Sequence, residues 1–186
     1  MKTNYYTGRG DDGTSALFGD TTRLLKNNPM FELLGTLDEL NCWLGLCRSI
    51  NASSSHESAP YIQSILLQAQ ESLFTIQAQV AGADLGLSLK RVKEIETNIS
   101  RLTEGLPQPQ SFYLPGASLL GSYFDITRTI ARRCERSFVG VIQEKGNDST
   151  HAASAYLNRL SSLLYALVRF ANKQAHCEEQ SPSYIH

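Results

Sequence analysis

Two stretches of this chain carry residue types suited to holding a polyanion. The first is Tyr6-Thr7-Gly8-Arg9-Gly10-Asp11-Asp12-Gly13-Thr14-Ser15. Glycines let successive backbone N–H groups converge, and Arg9, Thr14 and Ser15 add side-chain donors, so the segment can cradle phosphate oxygens. Two common phosphate motifs are spelled here out of context. Gly8, Gly10 and Gly13 read G-x-G-x-x-G, but only seven residues come before, and the dinucleotide fingerprint needs a preceding strand and a following helix. Gly8-x4-Gly13-Thr14-Ser15 resembles a P-loop without its lysine and fails on the same ground. Arg9-Gly10-Asp11 would suggest adhesion only outside a cell. A glycine-rich stretch near a terminus is also consistent with an untethered tail.

The second stretch is Asp125, Arg128, Arg132 and Glu135, stepping by 3, 4 and 3 along one helix face, with Arg133 and Arg136 beside it. The planar guanidinium fork matches phosphate and carboxylate better than a lysine does. A solvated helix face produces the same line. Asn158, Ser162, Tyr165 and Arg169 form a similar line, and Asp38, Asn41 and Gly45 a third. Polar lines on several helices mean a wet outer surface or a shared polar interface, and periodicity does not separate the two. Other chemistries lack their residues. A di-metal carboxylate site needs Glu-x-x-His on two helices, whereas the nearest match is a single Asp148-x-x-His151. There is no H-E-x-x-H motif, no Ser/His/Asp order and no zinc-finger spacing of cysteine and histidine, so no protein metal site is expected.

The elements that must position these residues are helices. Asn28-Pro29 is a helix cap followed by a proline suited to the first turn. Behind it Met30, Leu33, Leu37, Leu40, Leu44 and Cys47 recur at helical spacing. Ile62, Leu66, Ala69, Leu73, Ile76 and Val80 predict a second helix ending at Gly82. Val92, Ile95, Ile99 and Leu102 predict a third between Ser88 and the stop at Gly105 and Pro107. Residues 106–117 contain three prolines and cannot continue a helix. A fourth helix is expected from about Ser118 to Lys145, with Leu119, Tyr123, Ile126, Ile130, Cys134 and Val141 inward and Gly146 closing it. A fifth starts near Asp148 or Ser149 and carries Ala153, Leu157, Leu160, Leu164, Leu167 and Ala171. No stretch alternates long enough for a convincing strand. The fold class expected is all-α, a five-helix antiparallel bundle with a glycine-rich N-terminal loop. It forms one domain over 1–186: loop 1–27, bundle 28–179, tail 180–186.

Composition narrows the setting. In 186 residues, Lys+Arg 17 against Asp+Glu 18 leaves a net charge of -1, which argues against coating of nucleic acid. Hydrophobic residues at 41% suffice for a core and exclude disorder. Of cysteines 42, 47, 134 and 177, three fall in apolar helical patterns and read as small buried thiols. That suits a reducing compartment. With no apolar signal region at Met1–Tyr6 and no stretch long enough to span a bilayer, the expected location is cytoplasmic.

Six segments together resemble the PduO-type ATP:cob(I)alamin adenosyltransferases. They are Tyr6-Thr7 with Gly10-Asp11-Asp12-Gly13-Thr14; Lys26; Gly35-Thr36-Leu37-Asp38-Glu39-Leu40-Asn41; Phe112-Tyr113-Leu114-Pro115-Gly116; Arg128-x3-Arg132-Arg133-Cys134-Glu135-Arg136; and Tyr156-Leu157-Asn158-Arg159-Leu160-Ser161. Each is weak alone; their order over most of the chain is specific.

The resemblance implies a ferritin-like five-helix bundle acting as a homotrimer. In it, ATP and cobalamin meet between subunits and magnesium arrives on the ATP phosphates. The loop Thr7, Gly8, Arg9, Gly10, Asp11, Gly13, Thr14 and Ser15, with Lys26, would wrap the triphosphate. Arg132, Glu135 and Asn158 match nucleotide-contacting positions, with Arg133 and Arg136 in the same motif. Asp38 and Arg128 match a salt bridge between subunits. Phe112 matches the aromatic that keeps the lower axial ligand off cobalt. Cobalt(I) is itself the nucleophile on the 5′ carbon and triphosphate leaves, so the protein needs none of its own and works by orientation and charge stabilisation. Partners implied are a reductase or an adenosylcobalamin-dependent enzyme. Three departures stand out: Gly8-Arg9 where the family has Arg-Thr, Ser162 in place of an aspartate, and Cys134 in place of an alanine. The first two leave open a non-catalytic module that delivers or senses corrinoid.

Overall fold

The computed structural model describes residues 5–145 and 150–184, without the side chains of 143–145. After a short antiparallel pair, β1 (Thr14–Ser15) with β2 (Leu24–Leu25), come α1 (Pro29–Ala52), α2 (Ala59–Val80), α3 (Leu89–Thr103), α4 (Leu119–Lys145) and α5 (His151–Gln174). The cap of α1 is the one the sequence implies: Asn28 Oδ1 accepts from the Met30 amide at 2.9 Å. Gly82 and Gly105, both at positive φ, follow the ends of α2 and α3. Gly146 and the expected α5 start at Asp148 or Ser149 lie outside the described residues.

Cross-helix bonds give the directions. Arg48 to Gln70 and Asn51 to Ala59 run α1 against α2, and Tyr61 to Asn98 with Arg91 to Glu71 run α2 against α3. Glu39 with Arg133 and Cys47 with Thr127 run α1 against α4. Asn158 to Glu135 and Ser118 to Asn172 run α4 against α5. Arg159 with Glu96 and Lys173 to the Gly105 carbonyl run α5 alongside α3 in the same direction. The helices therefore close a ring in the order α1, α2, α3, α5, α4. A ring of five cannot alternate all the way round, so one neighbouring pair must be parallel. Here it is α3 with α5, and the α3–α4 connection has to cross the C-terminal end of α5. That crossing builds the site described below.

The predicted stripes of α1, α2 and α5 are buried in one core; each large apolar side chain contributes about 1.5–3 kcal/mol. On α4 the expected face is partly wrong. Leu119 is 71% and Ile126 43% exposed, while Phe124, Thr127, Ala131 and Phe138 fill the interior beside Ile130, Cys134 and Val141. Thr127 disguised the true face: its hydroxyl donates to the Tyr123 carbonyl at 2.7 Å and meets Cys47 Sγ at 3.4 Å, so a polar side chain sits satisfied in the core. Cys47 and Cys134 are buried as expected, but Cys42 is exposed; all four thiols are free. Burial pushes the Cys134 thiol up to about 12. No helix among the described residues is long and apolar enough to cross a membrane.

Candidate active site

The N-terminal loop holds itself. Gly8 and Gly13 take φ of 70° and 79°, and the amides of Asp11 and Gly13 close turns onto the carbonyls of Gly8 and Gly10. Asp12 accepts from both the Thr14 amide (2.9 Å) and the Thr14 hydroxyl (2.8 Å). Those two bonds, assisted by Arg23, hold its carboxyl below the ordinary aspartate range. Arg23 donates to Thr14 Oγ1 at 2.6 Å and to the Arg9 and Thr14 carbonyls. Lys26 Nζ donates to the Gly10 carbonyl at 2.7 Å. A Cβ at Gly10 would lie 2.9 Å from that ammonium and 3.3 Å from the Thr14 carbonyl, so any side chain there would displace Lys26. Arg23, which spacing alone did not single out, is the loop's clamp. The β1–β2 pair, also unforeseen, is too short to show alternation.

The helical cluster is built across α4 and α5. Asn158 Nδ2 donates to Glu135 Oε1 at 2.7 Å, and Arg159 ties Asn158 Oδ1 to Glu96 of α3. Arg132, Glu135, Arg136, Val139 and Asn158 line a cleft of about 360 Å³. Arg136 donates to the Arg132 carbonyl. Among the described residues the exposed Arg132 guanidinium has no ion-pair partner. Arg133 turns to the α1 side and pairs with Glu39. Arg128 pairs with Asp125 of its own helix at 3.0 Å, and Asp38 is exposed on α1.

A larger cavity of about 810 Å³ adjoins this cleft, towards the upper end of the range typical of small-molecule sites. Its floor includes Arg128, Arg132, Ser162 and Tyr165, and its roof is residues 106–114 with Phe112. Phe112 is 81% exposed. Arg132 lines both spaces, so one cation faces a polar cleft on one side and a roomy cavity on the other. Among the described residues no three His, Cys, Asp or Glu side chains converge as metal ligands.

Glu135, Asn158, Arg132 and Arg136 thus come together, with Phe112 and Arg128 around the adjoining cavity. The loop of Thr7–Ser15 and Lys26 does not join them within one chain. Its described side-chain bonds all close inside residues 5–27, and none of its residues lines either cavity.

An arginine set between a small polar cleft and a large cavity, on a five-helix bundle, defines a protein fitted to hold an anionic group beside a bulky one. The sequence profile of the cobalamin adenosyltransferases matches residues 5–171. The corrinoid adenosyltransferase PduO of Citrobacter freundii is 36% identical over 174 residues, covering 92% of this chain and 50% of the relative. The corrinoid adenosyltransferase of Bacillus subtilis is 33% identical, covering 91% of this chain and 87% of that one. The chain thus spans about half the length of the PduO relatives. Among solved structures, a variant PduO-type ATP:corrinoid adenosyltransferase from Lactobacillus reuteri, complexed with cobalamin and ATP, superposes with a TM-score of 0.86 at 26% identity, covering 97% of each chain. The chain belongs to the cobalamin adenosyltransferase family.

Proposed function

We propose that this protein transfers the 5′-deoxyadenosyl group of ATP to cob(I)alamin, releasing triphosphate. Membership of the family and the likeness to a structure complexed with both substrates support this. The observation that carries it is the position of Arg132 between the two cavities. Cobalamin in the larger space and nucleotide in the smaller would place the guanidinium beside the breaking bond. The cobalt(I) electron pair forms the Co–C5′ bond, and the C5′–O bond breaks with its electron pair leaving on triphosphate. Arg132 would stabilise that growing charge. Glu135 and Asn158, each fixing the other, would orient the nucleoside. Magnesium would accompany the nucleotide and offset phosphate charge. Phe112, exposed at the cavity roof, would cover the lower face of cobalt.

The triphosphate loop comes from a neighbouring protomer in this reading. The loop is self-supporting and rich in donors, yet within one chain it stays away from the arginine cleft. A homotrimer with Asp38 of one protomer facing Arg128 of the next would bring it there. Its setting would be the cytoplasm, where a reductase supplies cobalt(I).

The test is incubation with ATP, magnesium and chemically reduced cobalamin, following the absorbance change as the cobalt–carbon bond forms. Adenosylcobalamin and triphosphate in equal amounts are expected. Tight binding of both ligands without product would make the protein a delivery or sensor module instead.

A further inference from the structure

We infer that the segment after α5 is a strap that positions Phe112, with Arg169 as its post and Glu179 as its buckle. This rests on the function proposed above only in what Phe112 does; the strap itself is read from contacts. The α3–α4 connection crosses the C-terminal end of α5, and among the described residues its fastenings there come from α5 or the chain beyond. Lys173 Nζ donates to the Gly105 carbonyl at 3.1 Å and Arg169 Nη2 to the Pro107 carbonyl at 3.2 Å. The Ser111 and Ser181 hydroxyls bond at 2.7 Å, and the Leu114 amide donates to the Gln180 carbonyl at 2.8 Å. Phe112 lies between those last two bonds, and its exposed ring has almost no packing to fix it. Its direction therefore depends on backbone held from both sides.

What holds the strap is a buried charge pair. Arg169 is 5% exposed; its Nε donates to Glu179 Oε2 at 2.6 Å, and its guanidinium stacks 4.9 Å from the Tyr113 ring centre. Glu179 Oε1 accepts from Asn172 Nδ2 at 3.0 Å, while Asn172 Oδ1 accepts from Ser118 Oγ at 2.6 Å, at the entry to α4. Both carboxylate oxygens are thus occupied, and one arginine touches the loop, the aromatic beside Phe112 and the strap. A desolvated charge-assisted pair of this kind is strong and directional, and losing one partner leaves the other buried without compensation. Arg169 and Glu179 are positioning residues that act through Phe112.

The experiment uses Glu179→Gln, which keeps the shape and removes the charge, with Ser181→Ala as a milder second variant in the same intact chain. In Glu179→Gln, kcat should fall about tenfold or more through misplacement of Phe112, with KM for ATP unchanged within about twofold. The spectrum of ATP-bound cob(II)alamin should lose four-coordinate character in parallel. In a Phe112→Ala background the same substitution should add almost nothing, since residues that act as one unit are non-additive. A full tenfold loss in that background, or an unaltered cobalt(II) spectrum, would overturn the inference. Amide hydrogen exchange in the free protein separates the two proposals: Glu179→Gln should speed exchange at Leu114 whether or not the protein makes adenosylcobalamin. Unchanged exchange there would also refute the strap.

Discussion

The two irregular segments of this molecule, residues 5–28 and 104–118, are assigned comparable tasks in the proposed function and are held in opposite ways. The N-terminal loop is secured from inside, by Arg23, Lys26 and Asp12 acting on partners within seventeen residues of themselves. The α3–α4 connection has few bonds of its own and is secured by Arg169, Lys173, Asn172 and the chain beyond them, partners more than fifty residues away. A self-supporting loop keeps its shape wherever it is carried, which suits delivery to a neighbouring protomer. A loop bound to its own bundle cannot travel, which suits the role proposed for Phe112 over the cavity. The difference implies that damage to the first stays local, whereas damage to the second should reach the packing of α4 on α5.

The hinge of the comparison is Arg132, which neither loop positions. Arg132→Ala should lower kcat by roughly 10²–10³, about 3–4 kcal/mol of transition-state stabilisation, while thermal unfolding is unchanged because the side chain is exposed. Near-normal turnover would remove it from the chemistry. Next in size is Gly121→Ala. A Cβ there would lie 2.3 Å from Asn172 Oδ1 and 2.7 Å from Ser118 Oγ. Forcing that contact in a buried site should cost about 1–3 kcal/mol, several degrees of melting temperature by calorimetry, and should loosen residues 106–117. The mirror substitution in the self-held loop is Gly10→Ala, which displaces the Lys26 ammonium. It should raise KM for ATP about tenfold, roughly 1.4 kcal/mol, yet leave the melting temperature almost unmoved. If both glycine variants lost stability equally, the contrast between the loops would fail.

A further effect, invisible near neutral pH, belongs to the core. The Cys134 thiol, raised from an ordinary 9.0 to about 12 by burial, favours its neutral form in the fold. Its contribution is therefore fully present below about pH 9 and is lost as pH rises from about 9 towards 12. Cys134→Ala should flatten the fall in melting temperature with pH over that window. Identical slopes would show that the thiol contributes nothing.

The same contrast explains what could be read from the amino acids alone. Periodicity located four helical faces because apolar residues at 3.6 spacing leave no other way to bury themselves. It slipped on α4, where Thr127 occupies a core position and Ile126 points outward. The glycine segment could be proposed as a phosphate cradle from its residues because its chemistry is local. Arg23 escaped notice because its value lies in reaching Thr14 across a turn. Glu179 escaped for a stronger reason: nothing in a polar run near the end of the chain says that it pairs with an arginine in the core. The expected division at residue 180 separates Gln180 and Ser181 from the bundle, although both bond to the Phe112 loop.

Whether the glycine loop of one protomer completes the arginine cleft of its neighbour is tested most directly by complementation. Lys26→Ala and Arg132→Ala chains, each expected to be impaired alone, would be unfolded and refolded together in equal amounts. A site shared between protomers predicts that activity returns, at about one quarter of wild-type interfaces for random assembly. A mixture no more active than either variant alone would mean that each chain builds its site by itself, contradicting the shared cleft.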